Sequence, residues 1–314
     1  MASSGSLGRQ TTLRRSATVT GIGVHSGRPA SLTIHPAEAG SGICFQRFSG
    51  DDGHDPVRAH YSNVSATDFC TVVGFNGSSV ATIEHLMATL SALHVDNAIV
   101  EIDGPEVPVM DGSAGAFLDA VDEVGIRALE APRRHIRVLR PVSVRFGESV
   151  AEFRPYDGMR VEVEIDFANP LVGRQRFAAD IDADVFRSEL ARARTFGFVA
   201  DVEQLWARGL ALGASLDNAV VIGDDRVMNP EGLRFVDEFV RHKALDAVGD
   251  LALAGAPIRG LYRSYRGGHK LNVTALAALL SNPAAWMWEG DAGEQAESIA
   301  RPAIDEAAFG SEAA

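Results

Sequence analysis

Cysteine is nearly absent from this 314-residue chain, with only 2, Cys44 and Cys70. These cannot build a disulfide framework or, alone, a thiolate zinc site. A reducing cytoplasm is therefore the default location. Long apolar runs are missing as well, and none approaches the ~18–20 residues needed to span a bilayer. Positive charge is scarce: 29 Lys and Arg stand against 42 Asp and Glu, a net charge of −13. That deficit argues against general nucleic-acid binding and against a polybasic membrane anchor. Acids, in turn, are absent from Met1–Pro36, which carries Arg9, Arg14, Arg15 and Arg28 among several Ser and Thr. Such a composition resembles an organelle transit peptide. The plainer reading is a short flexible leader, residues 1–10, because Ala17–Gly27 already has the pattern of folded structure. No secretory apolar core is present.

What is there is globular. The chain is 46% hydrophobic and 23% charged, and at about 150 residues per domain it predicts two domains. In the first half, Ser31–His35 alternates, and Ile43–Phe48 and Phe69–Phe75 are rich in β-branched and aromatic residues, so all three read as strands. The glycines of Thr20–Gly27 have the wrong spacing for a dinucleotide fingerprint, and an alternating stretch follows them, so a β-hairpin is expected there. A helix over about 79–93, a strand at 97–103 and a second helix capped by Ser113 complete the unit. Ala131-Pro132 closes it. The second half restarts with Met159–Phe167, where Val161, Val163, Ile165 and Phe167 face one way and Arg160, Glu162, Glu164 and Asp166 the other. Helices are expected at 183–192, 235–254 and 270–280, with a strand at 257–265. The expected division is a leader at 1–10, one domain at 11–131, a second at 132–288 with an insert at about 198–222, and a disordered acidic tail at 289–314.

Four clusters carry chemistry. Glu238, His242, Asp246 and Asp250 follow one another at i,i+4, one above the other on a helix face. One imidazole and one carboxylate a turn apart can converge on a divalent metal; the same spacing also describes a solvated face. Glu84-His85 stands near a helix start, and the two side chains differ by about 100° around the axis. One can bind a metal while the other reaches a water, or Glu84 can simply favour the helix dipole beside a half-buried His85. His269 follows Gly267-Gly268 at a strand-to-helix turn, open to a substrate or merely near a helix cap. Thr195 lies between Arg194 and Phe196, either a donor to a carbonyl oxygen or a polar residue in an apolar turn. His35, His54, His60, His94 and His135 have no partner pattern and read as structural or exposed; the hairpin residue His25 stays undecided.

Taken in order, TGIGVHSG (20–27), TIEHL (82–86), MDGSA (110–114), ARTFGF (193–198), EFVRHKALDAVGD (238–250) and GGHKLN (267–272) resemble one family, the UDP-3-O-acyl-N-acetylglucosamine deacetylases. This is the zinc amidase family of lipid A synthesis. The resemblance implies an α+β fold of two similar domains stacked sheet-helix-helix-sheet, the active site between them, each domain with a small insert. It implies one catalytic Zn²⁺ on His85, His242 and Asp246, with a fourth position left for water. Glu84 would be the general base and His269 the group that stabilises the oxyanion and protonates the leaving amine. Asp250 would orient His269, and Thr195 would donate to the oxyanion. Lys243 would face the diphosphate or sugar and Phe196 would stack on the substrate. Phe198, Ser215 and Leu216 would be further substrate contacts. Val199, Leu210, Leu212, Leu216 and Val220 of the second insert would line an acyl-chain passage, or form only the insert's own small core.

The implied reaction is hydrolysis of the acetamide of UDP-3-O-(3-hydroxyacyl)-N-acetylglucosamine to acetate and free amine, the committed step of lipid A synthesis. A substrate dianion on a chain of net charge −13 requires local cations, and Arg194, Arg241, Lys243, Arg263 and Arg266 lie beside the motifs. Ser149 stands where the family often has a nucleotide-side lysine, and Gly213–Leu216 lacks the commoner aromatic. A monomeric enzyme of a Gram-negative cytoplasm with only transient membrane contact is expected. The alternatives are a related zinc amidase of another N-acyl sugar, a non-catalytic acyl-nucleotide binder, and a two-domain scaffold with fortuitous histidines.

Overall fold

Strict alternation builds the first sheet. Leu32 and Ile34 turn inward from Pro29–Pro36, and Ala98, Val100 and Ile102 do so from Ala98–Ile102. The two strands pair antiparallel, Val100 opposite Ile34. The computed structural model describes residues 8–49, 52–53, 56–75 and 78–290. His54, residues 1–7 of the expected leader and residues 291–314 of the expected tail lie outside the described residues. The sheet runs Ala17–Ile22, Pro29–Pro36, Ala98–Ile102, Ile43–Ser49 and Asp52–Gly53, with Val57–Arg58 also on Ile43–Ser49. Ala17–Ile22 and Pro29–Pro36 form the expected hairpin.

A second sheet runs Val142–Phe146, Ser149–Arg154, Ile258–Tyr265, His135–Val138 and Trp286–Glu289. Met159–Asp166 joins Ile258–Tyr265 in parallel and carries Arg174–Asp180 on its other side. Ala151, Phe153, Val161, Val163, Ile165 and Tyr262 form its buried face. Six α-helices occur among the described residues: α1 (Glu84–Ala92), α2 (Gly115–Val124), α3 (Ala183–Val185), α4 (Val202–Ala207), α5 (Glu238–Leu251) and α6 (His269–Leu280). The fold is mixed α+β. Helices α5 and α6 pack on the second sheet, α2 packs on Ala17–Ile22, and α1 lies along α5. Gly249 permits that last contact, because a Cβ there would overlap the Glu84 carbonyl oxygen. One continuous apolar core joins both sheets and these helices.

Local expectations shift where distant groups intervene. The first helix starts at Glu84, not near Ser79, because Ser78–Val80 pairs as a strand and Thr82 has φ 59°. A β-branched residue in that region cannot continue a helix. The strand expected over 69–75 is confined to Val72–Phe75. The helix expected over 183–192 is α3 followed by a wider π turn, Phe186–Leu190. Arg9–Leu13 is a strand on Ile126–Pro132, so its first residues fall within the segment expected as leader.

Candidate metal centre

Two packed helices build the centre. His85 sits in the first turn of α1, and His242 and Asp246 lie one turn apart on α5. All three are buried, and one ligand atom from each lies within 4.8 Å of the others. Asp246 Oδ1 is 3.5 Å from His85 Nε2 and 3.4 Å from His242 Nε2. The two imidazoles meet edge to face at 4.9 Å. Asp246 Oδ1 is buried yet accepts no hydrogen bond among the described residues. A buried carboxylate oxygen without a donor is costly, and a cation between the three groups removes that cost. The residues therefore fit a metal ion, and a His₂Asp set suits zinc in a catalytic site.

The surroundings prepare the ligands. His242 Nδ1 lies 3.0 Å from the Ala193 carbonyl, which holds the Nδ1 proton and leaves Nε2 for a metal. Burial pushes His242 down to about 3, so its ring is neutral at pH 7. Burial works against the Asp246 charge, but His242 and Lys243 hold it well below the usual carboxylate range. Lys243 Nζ donates to Asp246 Oδ2 at 2.9 Å and lies 5.7 Å from the Phe196 ring centre.

Glu84 and His269 stand next to His85, His242 and Asp246. His269 Nε2 is 3.9 Å from Glu84 Oε1 and from Asp246 Oδ2. Its Nδ1 is 2.9 Å from Asp250 Oδ2. Burial lowers His269, but Asp250 and then Glu84 outweigh it and carry the imidazole up to about 9. Burial raises Glu84, against the opposing pull of His269 and His85. A raised acid beside a raised base, both buried, is the usual signature of acid–base chemistry.

Against this geometry stand the relatives. The family model of UDP-3-O-acyl N-acetylglycosamine deacetylase matches residues 10–281. The chain belongs to this family. UDP-3-O-acyl-N-acetylglucosamine deacetylases of Brucella ovis (strain ATCC 25840 / 63/290 / NCTC 10512) and Brucella abortus (strain 2308) are each 58% identical to it over 278 residues. Those alignments cover 88% of this chain and 97% of each relative. The enzyme of Brucella melitensis biotype 2 (strain ATCC 23457) is likewise 58% identical over 278 residues. The matched span, residues 10–281, takes in all six motifs, and the cofactor of a zinc amidase matches the His85/His242/Asp246 cluster.

The remaining motifs contact one another. Thr195 N donates to Gly112 O at 2.8 Å, joining ARTFGF to MDGSA, and a Cβ on Gly112 would overlap the Asn218 carbonyl. The Thr195 hydroxyl has no partner among the described residues. Phe196 lies 5.0 Å from Phe239 and 6.5 Å from the His242 ring, and Phe198 packs on Phe167. Within the insert, Ser215 is held in a turn by Asn218, and Leu216, Leu212 and Val199 are exposed. Val220 is fully buried, so it supports the insert from below instead of presenting a surface. The insert docks on the TGIGVHSG turn: Leu212 N donates to His25 O at 3.1 Å and Gly213 N to Val24 O at 3.0 Å.

Sequence reasoning assigned no role to several residues that shape the site. Buried Glu106 accepts from the backbone N–H groups of His25 (2.9 Å) and Ser26 (2.8 Å) and from the Thr82 hydroxyl (2.9 Å). It thereby links the hairpin to the turn before Glu84. Asn272 donates to Asp250 Oδ2 at 2.8 Å and accepts from Tyr262. Asn272 stands in the GGHKLN motif, one turn beyond His269, and that spacing was its only signal. Arg194 departs from expectation: it is fully buried, with Nε on Glu238 at 2.9 Å and NH1 on Glu231 at 2.5 Å. Arg241 is likewise engaged by Asp237 and Glu189. Neither is free to meet a substrate anion.

Proposed function

We infer that this chain is a zinc-dependent hydrolase that removes acetate from UDP-3-O-(3-hydroxyacyl)-N-acetylglucosamine and leaves the free amine. The observation that carries the reading is the orphaned Asp246 Oδ1 between two imidazoles, with Glu84 and His269 at its side. His85, His242 and Asp246 would hold the ion, which when bound supplies a Lewis acid that polarises the amide carbonyl and acidifies a water. Glu84 takes the proton of the attacking water at a carboxylate oxygen. His269, protonated through the charges of Asp250 and Glu84, balances the developing oxyanion and then passes its Nε2 proton to the leaving nitrogen. Asp250 keeps Nδ1 protonated, so that Nε2 faces the reaction. The Thr195 hydroxyl donates to the oxyanion. Glu84, Asp250 and His269 are buried, which strengthens the interactions between their charges.

Substrate contacts follow the same reading. Lys243 and Phe196 flank the ligands and take the sugar, while Phe198, Ser215, Leu216, Leu212 and Val199 guide the acyl chain along the insert. Of the cations near the motifs, Arg263 is engaged by Glu162 at 2.8 Å. Arg266 pairs with the exposed Glu148 at 2.5 Å. An exposed pair contributes little, so Arg266 can exchange Glu148 for a phosphate and stand in for the lysine that Ser149 replaces. The packing of α1 on α5, with α5 also on the second sheet, supports a stacked pair of domains, 11–131 and 132–288. No helix among the described residues is long and apolar enough to cross a membrane. We place the enzyme in the cytoplasm as a monomer with transient membrane contact, since its product feeds a lipid pathway.

Acetate release from the purified protein, with zinc removed by chelation and then restored, tests the reading. Activity should vanish and return with the metal. Turnover that survives chelation would overturn it. Comparison of nucleotide-linked with free N-acyl sugars separates this substrate from another amide.

A further inference from the structure

Thr71 closes a ring around the two proton-handling groups. Its backbone N–H donates to Glu84 Oε2 at 3.0 Å, and its hydroxyl donates to Asp250 Oδ1 at 2.6 Å. The second oxygen of each carboxylate turns towards His269: Glu84 Oε1 lies 3.9 Å from Nε2, and Asp250 Oδ2 lies 2.9 Å from Nδ1. Thr71 is fully buried, so no water competes for these donors. Its carbonyl also accepts from Ile83 N at 3.4 Å, at the start of α1.

We propose that Thr71 is a positioning residue, which fixes the plane of the Asp250 carboxylate and holds Oε2 of Glu84, so that both acids present their outer oxygens to His269. The proposal rests on the reaction inferred above. A carboxylate held through one oxygen can swing about its last bond; donors on both oxygens fix its plane. Glu84 has one anchor, on Oε2, and it comes from an N–H that any residue at 71 supplies, while Oε1 lies 3.9 Å from His269 Nε2, within reach of its charge but beyond a hydrogen bond. Asp250 gains its second anchor only from the hydroxyl, because its other partners, His269 and Asn272, both bond Oδ2. Side-chain identity at 71 therefore acts on His269 through Asp250, and the backbone acts on Glu84. The three metal ligands make no hydrogen bond to Thr71, so zinc content should not follow its hydroxyl.

The test compares Thr71→Val, Thr71→Ala and Thr71→Ser in the zinc-loaded enzyme. Valine keeps the shape and loses the hydroxyl; alanine and serine differ only in that hydroxyl, so the last pair decides the matter even where valine folds poorly. With the hydroxyl lost, kcat should fall ~10–100-fold, the scale of losing a partner of a catalytic group. KM should move less than about 3-fold and bound zinc not at all, and serine should restore kcat. In an Asp250→Asn background the loss should largely disappear, since a residue acting through Asp250 has nothing left to position. Wild-type kcat in both Val and Ala variants, or a loss carried undiminished into Asp250→Asn, would overturn the proposal. An inactive zinc-loaded wild type would instead sink the functional reading.

Discussion

Two parts of this protein concentrate charge, and they treat it differently. On the outer face of the second sheet, Glu162 accepts from Arg160 at 2.9 Å, Arg176 at 3.0 Å and Arg263 at 2.8 Å. Around it Glu152 pairs with Arg154, and Glu164 with Arg174. Acids there meet donors, and the ladder is closed. Between α1 and α5 the balance is left open: Asp246 Oδ1 has no donor among the described residues, and an imidazole nitrogen of His85 and one of His242 lie 3.5 and 3.4 Å from it. Charge density alone marks neither region as functional. An unmet valence in a dry place does, because folding tolerates it only where something else completes it.

The contrast is broken most severely at the ligands. His85→Ala should release the zinc and abolish acetate production, as metal analysis of the purified variant would register; full metal content would contradict ligation. Glu84→Gln, one residue away, should behave differently. It keeps the metal but should lower kcat by ~10²–10⁴, the usual scale for a general base. Metal content and turnover measured on both variants separate holding the ion from using it.

A smaller effect concerns pH. In the mechanism proposed above, the active form has Glu84 without its proton and His269 with one. Burial raises Glu84 above the ordinary carboxylate range, so the acid limb of kcat/KM should lie above that of an exposed glutamate. Burial lowers His269, but Asp250 and Glu84 carry it up to about 9. The rate should therefore fall as pH rises through about 9. Asp250→Asn removes the largest raising charge and should draw the basic limb to lower pH. A basic limb that stays in place would show that some other group sets it.

Much of the site was legible because α5 spells it out. Glu238, His242, Asp246 and Asp250 recur every fourth residue, and the helix turns that spacing into one face. Glu84, His85 and His269 were legible as motif members. Thr71 was not, since it meets Asp250 across a separation of 179 residues, with no local pattern to reveal it. The start of α1 was misjudged for the same kind of reason: Thr82 is bound by Glu106, 24 residues on. Arg194 read as a cation for substrate until Glu238 and Glu231 closed around it. Periodicity reports which face a residue shares, but not which distant group has already engaged it. The strands showed the same limit. Alternation assigned Glu162 to the outer face, as observed, yet it is only 7% exposed because arginines fold over it.

That closed ladder supplies the mildest test, and its sign is opposite to that of the site. Burial works against the Glu162 charge, but Arg160 and Arg263 bring it from an ordinary 4.5 down to about 2. A carboxyl whose folded pKa is depressed contributes stability above its unfolded value and loses it as pH falls towards the folded one. Glu162→Gln should thus cost about 1–3 kcal/mol at pH 7, the scale of hydrogen bonds to a charged group, here with partners that are partly exposed. The gap to wild type should narrow between pH 4.5 and about 2. Denaturant melts at several pH values would measure it. Zinc content and kcat should stay at wild-type levels, because the ladder lies on the face turned away from the helices. A variant that unfolds no more easily would show that the arginines find equal partners elsewhere. One that loses activity while remaining folded would show that the two regions are coupled after all, and that the closed cluster reaches the open one through the Ile258–Tyr265 strand they share.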